Sequence, residues 1–444
     1  MSDARRDELL ARLLARIDAR DAVVGVVGLG YIGLPVAGAL LDAGFAVLGY
    51  DVDAEKVAQL SAGRVYLHHL GEDWAVRRRA TGRFDVTCDA SRLGEPDALL
   101  LCVPTPLLPS REPDLSYVRR TAEDVARVLR PGQLVVLEST TYPGTTRDVL
   151  RPILETSGLS CARDVFVAYA PEREDPGSGR AVRDVPRVVG GLDEASRDAA
   201  VRLYSAVVER VVPVSSAEVA EAAKLLENVY RAVNIALVNE LKVMLTAMDV
   251  DVHEVIDAAS TKPFGFSAFR PGPGLGGHCI PIDPFYLAYA ARAAGVPARF
   301  VELAGEVNRA MPEWVVERTR LVLEARGVAL RGAHVLVIGL AYKADVDDTR
   351  ESPSFVLIER LSALGAQVAY HDPHVPRTRP VRHADVPPME SVPLDATRLA
   401  SYDTVLIATD HRAVDWDLVA THARLVLDTR GVLRGRAAPN VVQL

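Results

Sequence analysis

The chain has 444 residues, 49% of them hydrophobic, and a mean hydropathy just above zero, enough to build two or three cores in a water-soluble protein. A formal net charge of -8 and an isoelectric point near 5.8, with no basic tract, argue against nucleic acid as a partner. The N-terminal stretch MSDARRDELLARLLARIDARDA alternates charge with Leu and Ile at helical spacing and has no apolar centre. Residues 1–20 therefore read as a short surface helix, neither signal peptide nor membrane span, and the protein as cytoplasmic with no membrane partner. Four cysteines without pairing or metal spacing fit a reducing compartment.

Residues 21–212 read as a dinucleotide-binding Rossmann domain. An apolar run, Val23 to Val27, enters Gly28, Gly30 and Gly33. A helical pattern to about Leu41 follows, then Gly44, then a second strand from Phe45 to Tyr50 that ends at Asp51. Strand, glycines, helix, strand and terminal acid in one unit lay a pyrophosphate on a helix N-terminus and offer a carboxylate to both ribose hydroxyls, which favours NAD over NADP. Further strands at 97–106, 132–146 and 164–175 each run from apolar residues into polar ones, Thr105, Thr140 and the pair Glu172 and Glu174. In an open parallel sheet those carboxyl ends line the ligand crevice. For each of these residues singly a turn or cap role stays open, and Thr145 after Pro143-Gly144 looks like an N-cap.

Residues 213–320 read as a central helical domain. The run 215–251 contains no Pro or Gly, and Ser215 with Glu218 spells a capping box. Glu221, Lys224, Asn228 and Arg231 recur three or four apart along it. They form either a solvated stripe or a row in which Lys224 and Asn228 point into a cleft as two donors for a developing oxyanion. Basic residues here are overwhelmingly Arg, with lysine only at positions 56, 224, 242, 262 and 343; Lys56 and Lys242 read as ordinary surface residues. Downstream, PGPGLGGHCIPIDPFYLAYA (271–290) puts Cys279 behind glycines and prolines that exclude regular structure and let a ligand approach. A helix starts near Asp283, and Gly295 is its stop. A thiol at such a junction feels positive backbone dipoles that favour thiolate, so Cys279 reads as a nucleophile. The alternatives are a structural thiol or a lone metal ligand, and no metal spacing accompanies it. Cys88, Cys102 and Cys161, in or beside apolar strands, read as small hydrophobes.

Residues 321–444 form a second α/β unit. Positions 333–373 run strand, loop, helix, strand, and 402–410 and 423–430 supply more strands. The loop after Gly339 is not a dinucleotide fingerprint; it carries Lys343 and Arg350, suited to a different phosphate-bearing ligand. The fold class is thus α/β, two Rossmann-like doubly wound domains joined by a long central helix, with cofactor on one side, substrate on the other and chemistry between them.

VVGLGYIGLPVA, CVPTP, EST, APERED, EAAKLLENVYRAVNIALVNEL, PGPGLGGHCIPIDPFYL and YKADVDDTRESPS occur in the order seen in the nucleotide-sugar dehydrogenases. These enzymes oxidise UDP-glucose, UDP-N-acetylhexosamines or GDP-mannose at C6, and the chain resembles them over nearly its whole length after residue 20. GGHCIPIDPFY is similar to the branch that acts on UDP-N-acetylglucosamine; UDP-glucose enzymes usually carry Lys where this chain has Ile282.

The resemblance implies a four-electron oxidation with two NAD. The first hydride transfer gives an aldehyde that Cys279 captures as a thiohemiacetal; the second gives a thioester that water cleaves. It also implies that Lys224 and Asn228 stabilise oxyanions, that Asp283 with Thr140 activates water, and that Glu172 assists proton transfer. Tyr31 and Ile32 join the fingerprint glycines around NAD, and Arg270, Gly276, Lys343 and Arg350 hold the UDP-sugar. No metal is implied, and a homodimer is expected through the central helix. Two other readings are weighed, a non-catalytic NAD-binding scaffold and a one-step 3-hydroxy acid dehydrogenase. Cys279, Lys224 and Asp283 argue against the first, and residues 333–444 against the second.

Overall fold

The apolar runs become strands buried on both faces, as a parallel sheet covered by crossover helices requires. The structure is a computed structural model describing residues 2–67, 70–173, 181–277, 279–436 and 438–444; Glu174 and His278 lie outside the described residues. The chain divides into two compact units, Met1–Glu227 with Tyr289–Val296, and Asn228–Ala288 with Pro297–Leu444.

Among the described residues of the first unit, eight strands form one sheet: β1 (Val23–Val27), β2 (Ala46–Tyr50), β3 (Phe84–Thr87), β4 (Ala98–Leu101), β5 (Leu134–Leu137), β6 (Phe166–Tyr169), β7 (Arg187–Gly191) and β8 (Val211–Pro213). Their order is β3-β2-β1-β4-β5-β6-β7-β8, parallel throughout except where β7 runs against β6. Crossing from β1 to β4 reverses the winding, and such a switch point opens a crevice at the strand carboxyl ends. The N-terminal helix Ser2–Ala19 is more than a surface helix: Leu13 and Ile17 are buried in the core of this sheet, and the Arg6 guanidinium lies 4.8 Å from the Phe166 ring centroid. Cys102 and Cys161 are buried as expected, and burial pushes both thiols up, Cys161 to about 12. Cys88 is exposed instead, because it follows β3 at the sheet edge.

The second unit carries a five-stranded parallel sheet, β9 (His334–Ile338), β10 (Gln367–His371), β11 (Thr404–Ile407), β12 (Val426–Asp428) and β13 (Val441–Gln443), in the order β10-β9-β11-β12-β13. The long helix Ala217–Ala247 belongs to both units, its first eleven residues to the first. Its start departs from the capping box. The Val219 amide reaches the Ser216 hydroxyl, one residue later than expected, and Arg147 draws the Glu218 carboxylate away at 2.7 Å. Thr145 likewise caps nothing; its hydroxyl donates to the Tyr142 carbonyl at 2.7 Å.

Lys242 is a further correction, being only 1% exposed, with its ammonium donating to the Thr429 carbonyl at 3.2 Å. Burial lowers it to about 7, and Asp428 opposes that shift. Between about pH 7 and its ordinary value the unfolded chain binds the proton that the folded chain releases, so this group makes the fold more stable as pH rises. Lys242→Met is therefore expected to raise the urea midpoint below about pH 7 and to lose most of that gain by about pH 10. A midpoint lowered equally at every pH would contradict this. No helix of the described residues is long and apolar enough to cross a membrane.

Candidate functional site

In the first unit the turn between β1 and the helix Gly33–Asp42 is shaped by three glycines with different tasks. A Cβ on Gly28, whose φ is +92°, would sit 2.6 Å from the Cys102 carbonyl oxygen, and one on Gly33 would strike the Gly28 carbonyl oxygen. A Cβ on Gly30 would meet nothing within 4 Å. Two glycines thus close the turn, and the third leaves bare backbone for a ligand, which is what a pyrophosphate needs. Tyr31 and Ile32 complete the turn. Asp51, buried just past β2, accepts the Leu29 amide at 2.8 Å. Lys56 is no bystander, since its ammonium lies 3.4 Å from the same carboxylate.

The ends of β4, β5 and β6 are tied together by side chains. The Ser139 hydroxyl bonds the carbonyls of Leu101 (3.2 Å) and Val103 (2.7 Å), fixing half-buried Thr140 next to it and holding the stretch that leads to buried Thr105. The Glu221 carboxylate, from the long helix, accepts the amides of Gly144 (2.6 Å) and Thr146 (2.9 Å) and the Thr146 hydroxyl (2.7 Å), clamping the loop after Thr140. Burial raises Glu221 to about 7 against those three donors. Glu221 is therefore an anchor and not part of a solvated stripe.

One turn further along, Lys224 is buried too, and among the described residues its ammonium has no hydrogen-bond or ion-pair partner. A buried cation without a partner costs free energy unless a ligand supplies the anion. Of the four residues in that row only Arg231 is exposed.

Glu172, beyond β6, is buried and ion-paired with Arg187, the first residue of β7, which also reaches Glu138 at 3.3 Å. Arg187 and Glu138 were invisible as partners in the sequence, where one opens and the other closes an apolar run.

In the second unit, the Cys279 carbonyl accepts the amides of Ile282 (3.1 Å) and Asp283 (2.7 Å), a turn that delivers the chain into the helix Asp283–Ala293. Cys279 is partly exposed at that junction, where helix N–H dipoles converge. Asn228 donates from its amide to the buried Asp283 carboxylate at 2.5 Å, so these two expected site residues are in direct contact.

The glycine loop ahead of Cys279 is held from several sides. The Asn239 side-chain oxygen accepts the Gly272 amide (3.0 Å), and its NH2 donates to Asn308 (2.9 Å). The Gly277 amide donates to the Arg350 carbonyl (3.0 Å), and a Cβ on Gly276 would lie 2.5 Å from that of Tyr342. Here bare backbone allows close packing onto the loop that carries Lys343. The Arg350 guanidinium is held by Asp348 (2.6 Å), and Arg270 is paired with Asp257. Arg430 escaped the sequence reading; its Nε donates to the Ala408 carbonyl at 2.7 Å, and a Cβ on Gly272 would touch its guanidinium.

Asp372 and His411 brace the Lys343 loop. Asp372 accepts the amides of Leu340 (2.7 Å) and Ala341 (2.9 Å), and His411 bridges the Asp345 amide (3.0 Å) and Asp372 (3.1 Å). Asp345, His374 and His411 bring potential ligand atoms within 4.8 Å of one another, but both ring nitrogens of His411 are already engaged, which leaves it no lone pair for a metal.

Sequence profiles of one family's three domains match in order: UDP-glucose/GDP-mannose dehydrogenase NAD binding domain over residues 22–208, central domain over 218–310 and UDP binding domain over 336–435. The chain is 35% identical over 430 residues to NDP-N-acetyl-D-galactosaminuronic acid dehydrogenase of Ralstonia nicotianae, covering 94% of this chain and 97% of the relative. It is 32% identical over 397 residues to UDP-N-acetyl-D-glucosamine 6-dehydrogenase of Pseudomonas aeruginosa, covering 88% and 91%. The solved UDP-D-ManNAc dehydrogenase from Pyrococcus horikoshii matches with a TM-score of 0.84 at 32% identity, covering 94% of this chain and 97% of that one. This chain therefore belongs to the UDP-glucose/GDP-mannose dehydrogenase family and is an NAD-dependent oxidoreductase that acts on nucleotide sugars.

Proposed function

We propose that the protein oxidises the C6 alcohol of a UDP-N-acetylhexosamine to the uronic acid, with UDP-N-acetylglucosamine as preferred substrate and Cys279 as covalent nucleophile. The observation that carries the reading is Lys224, a buried residue whose ammonium has no partner among the described residues, one helical turn before an Asn228 that is bonded to Asp283. Gly28, Gly30, Tyr31, Ile32 and Gly33 would hold NAD through backbone, Asp51 its ribose, and Thr105 and Thr140 its nicotinamide half. When bound, NAD takes up one hydride from C6 in each of two rounds.

The chain's residues do the rest. Glu172 accepts the hydroxyl proton in the first round. The Cys279 thiolate adds to the aldehyde carbon, and Lys224 and Asn228 stabilise the oxyanion that forms. After the second hydride leaves, Asp283 deprotonates the water, which it orients together with Thr140, and that water displaces the Cys279 thiolate from the thioester. Lys343, Arg350, Arg270 and the backbone at Gly276 hold the UDP portion, with Arg430 as an added cation beside the glycine loop.

An N-acetyl sugar suits the segment around the thiol, where buried Ile282 and Tyr286 and partly buried Ile280 and Phe285 are apolar. A methyl packed there is worth about 1–3 kcal/mol, and an amide partner left unpaired by a 2-hydroxyl adds a comparable cost, so discrimination against UDP-glucose reaches about a hundredfold. UDP-N-acetylmannosamine is the second reading, favoured by the match to the Pyrococcus enzyme. Purified protein with NAD and UDP-N-acetylglucosamine, UDP-N-acetylmannosamine, UDP-N-acetylgalactosamine or UDP-glucose should form two NADH per sugar, with the highest kcat/KM on the first. An equal or higher value for UDP-glucose overturns the sugar assignment and leaves the two-step chemistry standing.

NAD should be strongly preferred to NADP. Asp51→Ala should narrow that gap by weakening NAD by about 1.5–3 kcal/mol, the value of hydrogen bonds to a charged group, and by freeing Lys56 for a 2'-phosphate. Equal KM values for the two cofactors in the unmutated protein would show that the carboxylate does not face the ribose. The expected homodimer rests on Tyr230, Leu237 and Met244, exposed large side chains seven residues apart on the long helix.

A further inference from the structure

We propose that Lys242 and Asn239, neighbours on one face of the long helix, are positioning residues for Arg430, and that together they set how tightly the protein holds a nucleoside diphosphate. The inference rests on the reading that Arg430 faces the UDP portion of the substrate.

Arg430 stands just past the end of β12 and is partly exposed. Its Nε donates to the Ala408 carbonyl at 2.7 Å, and among the described residues its guanidinium forms no salt bridge. Asp428 is close in the chain but occupied, its carboxylate accepting the amides of Arg430 (2.9 Å), Gly431 (2.8 Å) and Leu433 (2.9 Å). A guanidinium held at one donor and unmatched by an acid suits a phosphate group, which accepts the remaining fork bidentately.

Backbone decides where that fork points. The Thr429 carbonyl and the Arg430 amide belong to one planar peptide unit. Asp428 holds the amide, and the carbonyl accepts from the Lys242 ammonium at 3.2 Å. Both ends of the unit immediately before Arg430 are thus pinned, which fixes the direction in which its side chain leaves the chain. Asn239 holds the surface on which the guanidinium lies: its side-chain oxygen accepts the Gly272 amide at 3.0 Å, and a Cβ on Gly272 would lie 2.5 Å from Nη1 of Arg430. Asn239 and Lys242 are one helical turn apart, so a single rigid element sets the spacing between the loop after β12 and the glycine loop.

A structural brace does not need an amine at this place. Lys242 is 1% exposed, and burying an ammonium costs stability that one carbonyl only partly offsets. The far end of the same loop is fastened without it, by Arg434 on Asp257 (2.8 Å) and by the buried His253 ring, from which a Cβ on Gly431 would lie 3.0 Å; both partners come from the helix Val252–Ser260. Where the amine acts is the peptide that aims Arg430.

The probe is UDP alone, its dissociation constant read by calorimetry on the full chain for the unmutated protein, Lys242→Met, Asn239→Ala, Arg430→Met and the double variant of Lys242→Met with Arg430→Met. Urea midpoints and the KM for NAD accompany each. Arg430→Met should weaken UDP roughly tenfold to a hundredfold, the loss of charge-assisted hydrogen bonds to phosphate. Lys242→Met should weaken it about three- to tenfold with the KM for NAD within about twofold, although its urea midpoint at about pH 6 is raised; a mere brace would lower midpoint and affinity together. In the Arg430→Met background, Lys242→Met should have no further effect on UDP, because it acts through the guanidinium. Asn239→Ala should weaken UDP by a similar factor, which keeps the idea testable if Lys242→Met does not fold. UDP bound undiminished by Lys242→Met or by Asn239→Ala, or an equal loss from Lys242→Met in both backgrounds, overturns the proposal while Arg430→Met remains impaired. Unchanged UDP affinity in Arg430→Met would overturn the reading beneath it as well.

Discussion

Cys279→Ala is expected to abolish uronic acid formation while the protein stays folded and binds NAD as before. Cys279 sits where the chain turns from bare glycine backbone into the helix Asp283–Ala293, and its own carbonyl is spent on the amides of Ile282 and Asp283. The backbone at the turn is therefore held without the thiol, and losing the sulfur should cost little stability. Chemically the loss is large. Without the thiohemiacetal the aldehyde offers no thioester route, so NADH per sugar should drop from two to at most one, and acid below the detection limit of a product assay. Cys279→Ser separates nucleophilicity from size; a serine hydroxyl fills the space but is a far poorer leaving group from the acyl intermediate, and should also fail. Normal turnover by either variant would end the covalent mechanism.

Lys224→Ala should lower kcat by about 10²–10³-fold, equivalent to roughly 2.7–4 kcal/mol of transition-state stabilisation, the cost of removing one oxyanion donor. The reason is the ammonium's surroundings: it is buried on the long helix with no partner among the described residues, whereas Glu221, one turn before it, is saturated by three donors. A cation without an anionic partner gains most when negative charge develops beside it. Because the substrate alcohol is neutral, the KM should change little and the loss should fall on kcat. Lys224→Arg, with a planar fork in place of a point charge, should not restore activity. A change confined to KM would assign Lys224 to ground-state binding. Removing a charge that has no partner among the described residues should also leave the melting temperature unchanged or raised, which distinguishes lost chemistry from lost fold.

What the sequence determined by itself is whatever depends on local backbone chemistry. The strand at Val23–Val27, the glycines at 28, 30 and 33 and the acid after the second strand are readable because each meets a constraint set within a few residues: a tight turn, a close helix contact, a strand end. The same holds for the glycine loop before Cys279 and for the second α/β unit, whose strands β9 to β12 fall inside the apolar runs. Strands β3, β7, β8 and β13 are short or begin with a polar or proline-flanked residue, and their places come from pairing with neighbours distant in the chain.

Tertiary structure alone decided which charges are dry. Lys242 and Lys56 look alike in sequence, yet one is sealed against Thr429 and the other lies against Asp51. Glu221 and Arg231 share a helical row, yet one clamps the loop after β5 and the other faces solvent. The trio of Glu138, Arg187 and Glu172 is assembled from the ends of β5, β7 and β6, with partners as many as 49 positions apart in the chain. A side chain's burial is set by whatever packs on it from remote segments, and so are its charge state and its hydrogen-bond partners. For this reason the cofactor turn and the cysteine loop were legible in the sequence, and the ionic network around Glu172 was not.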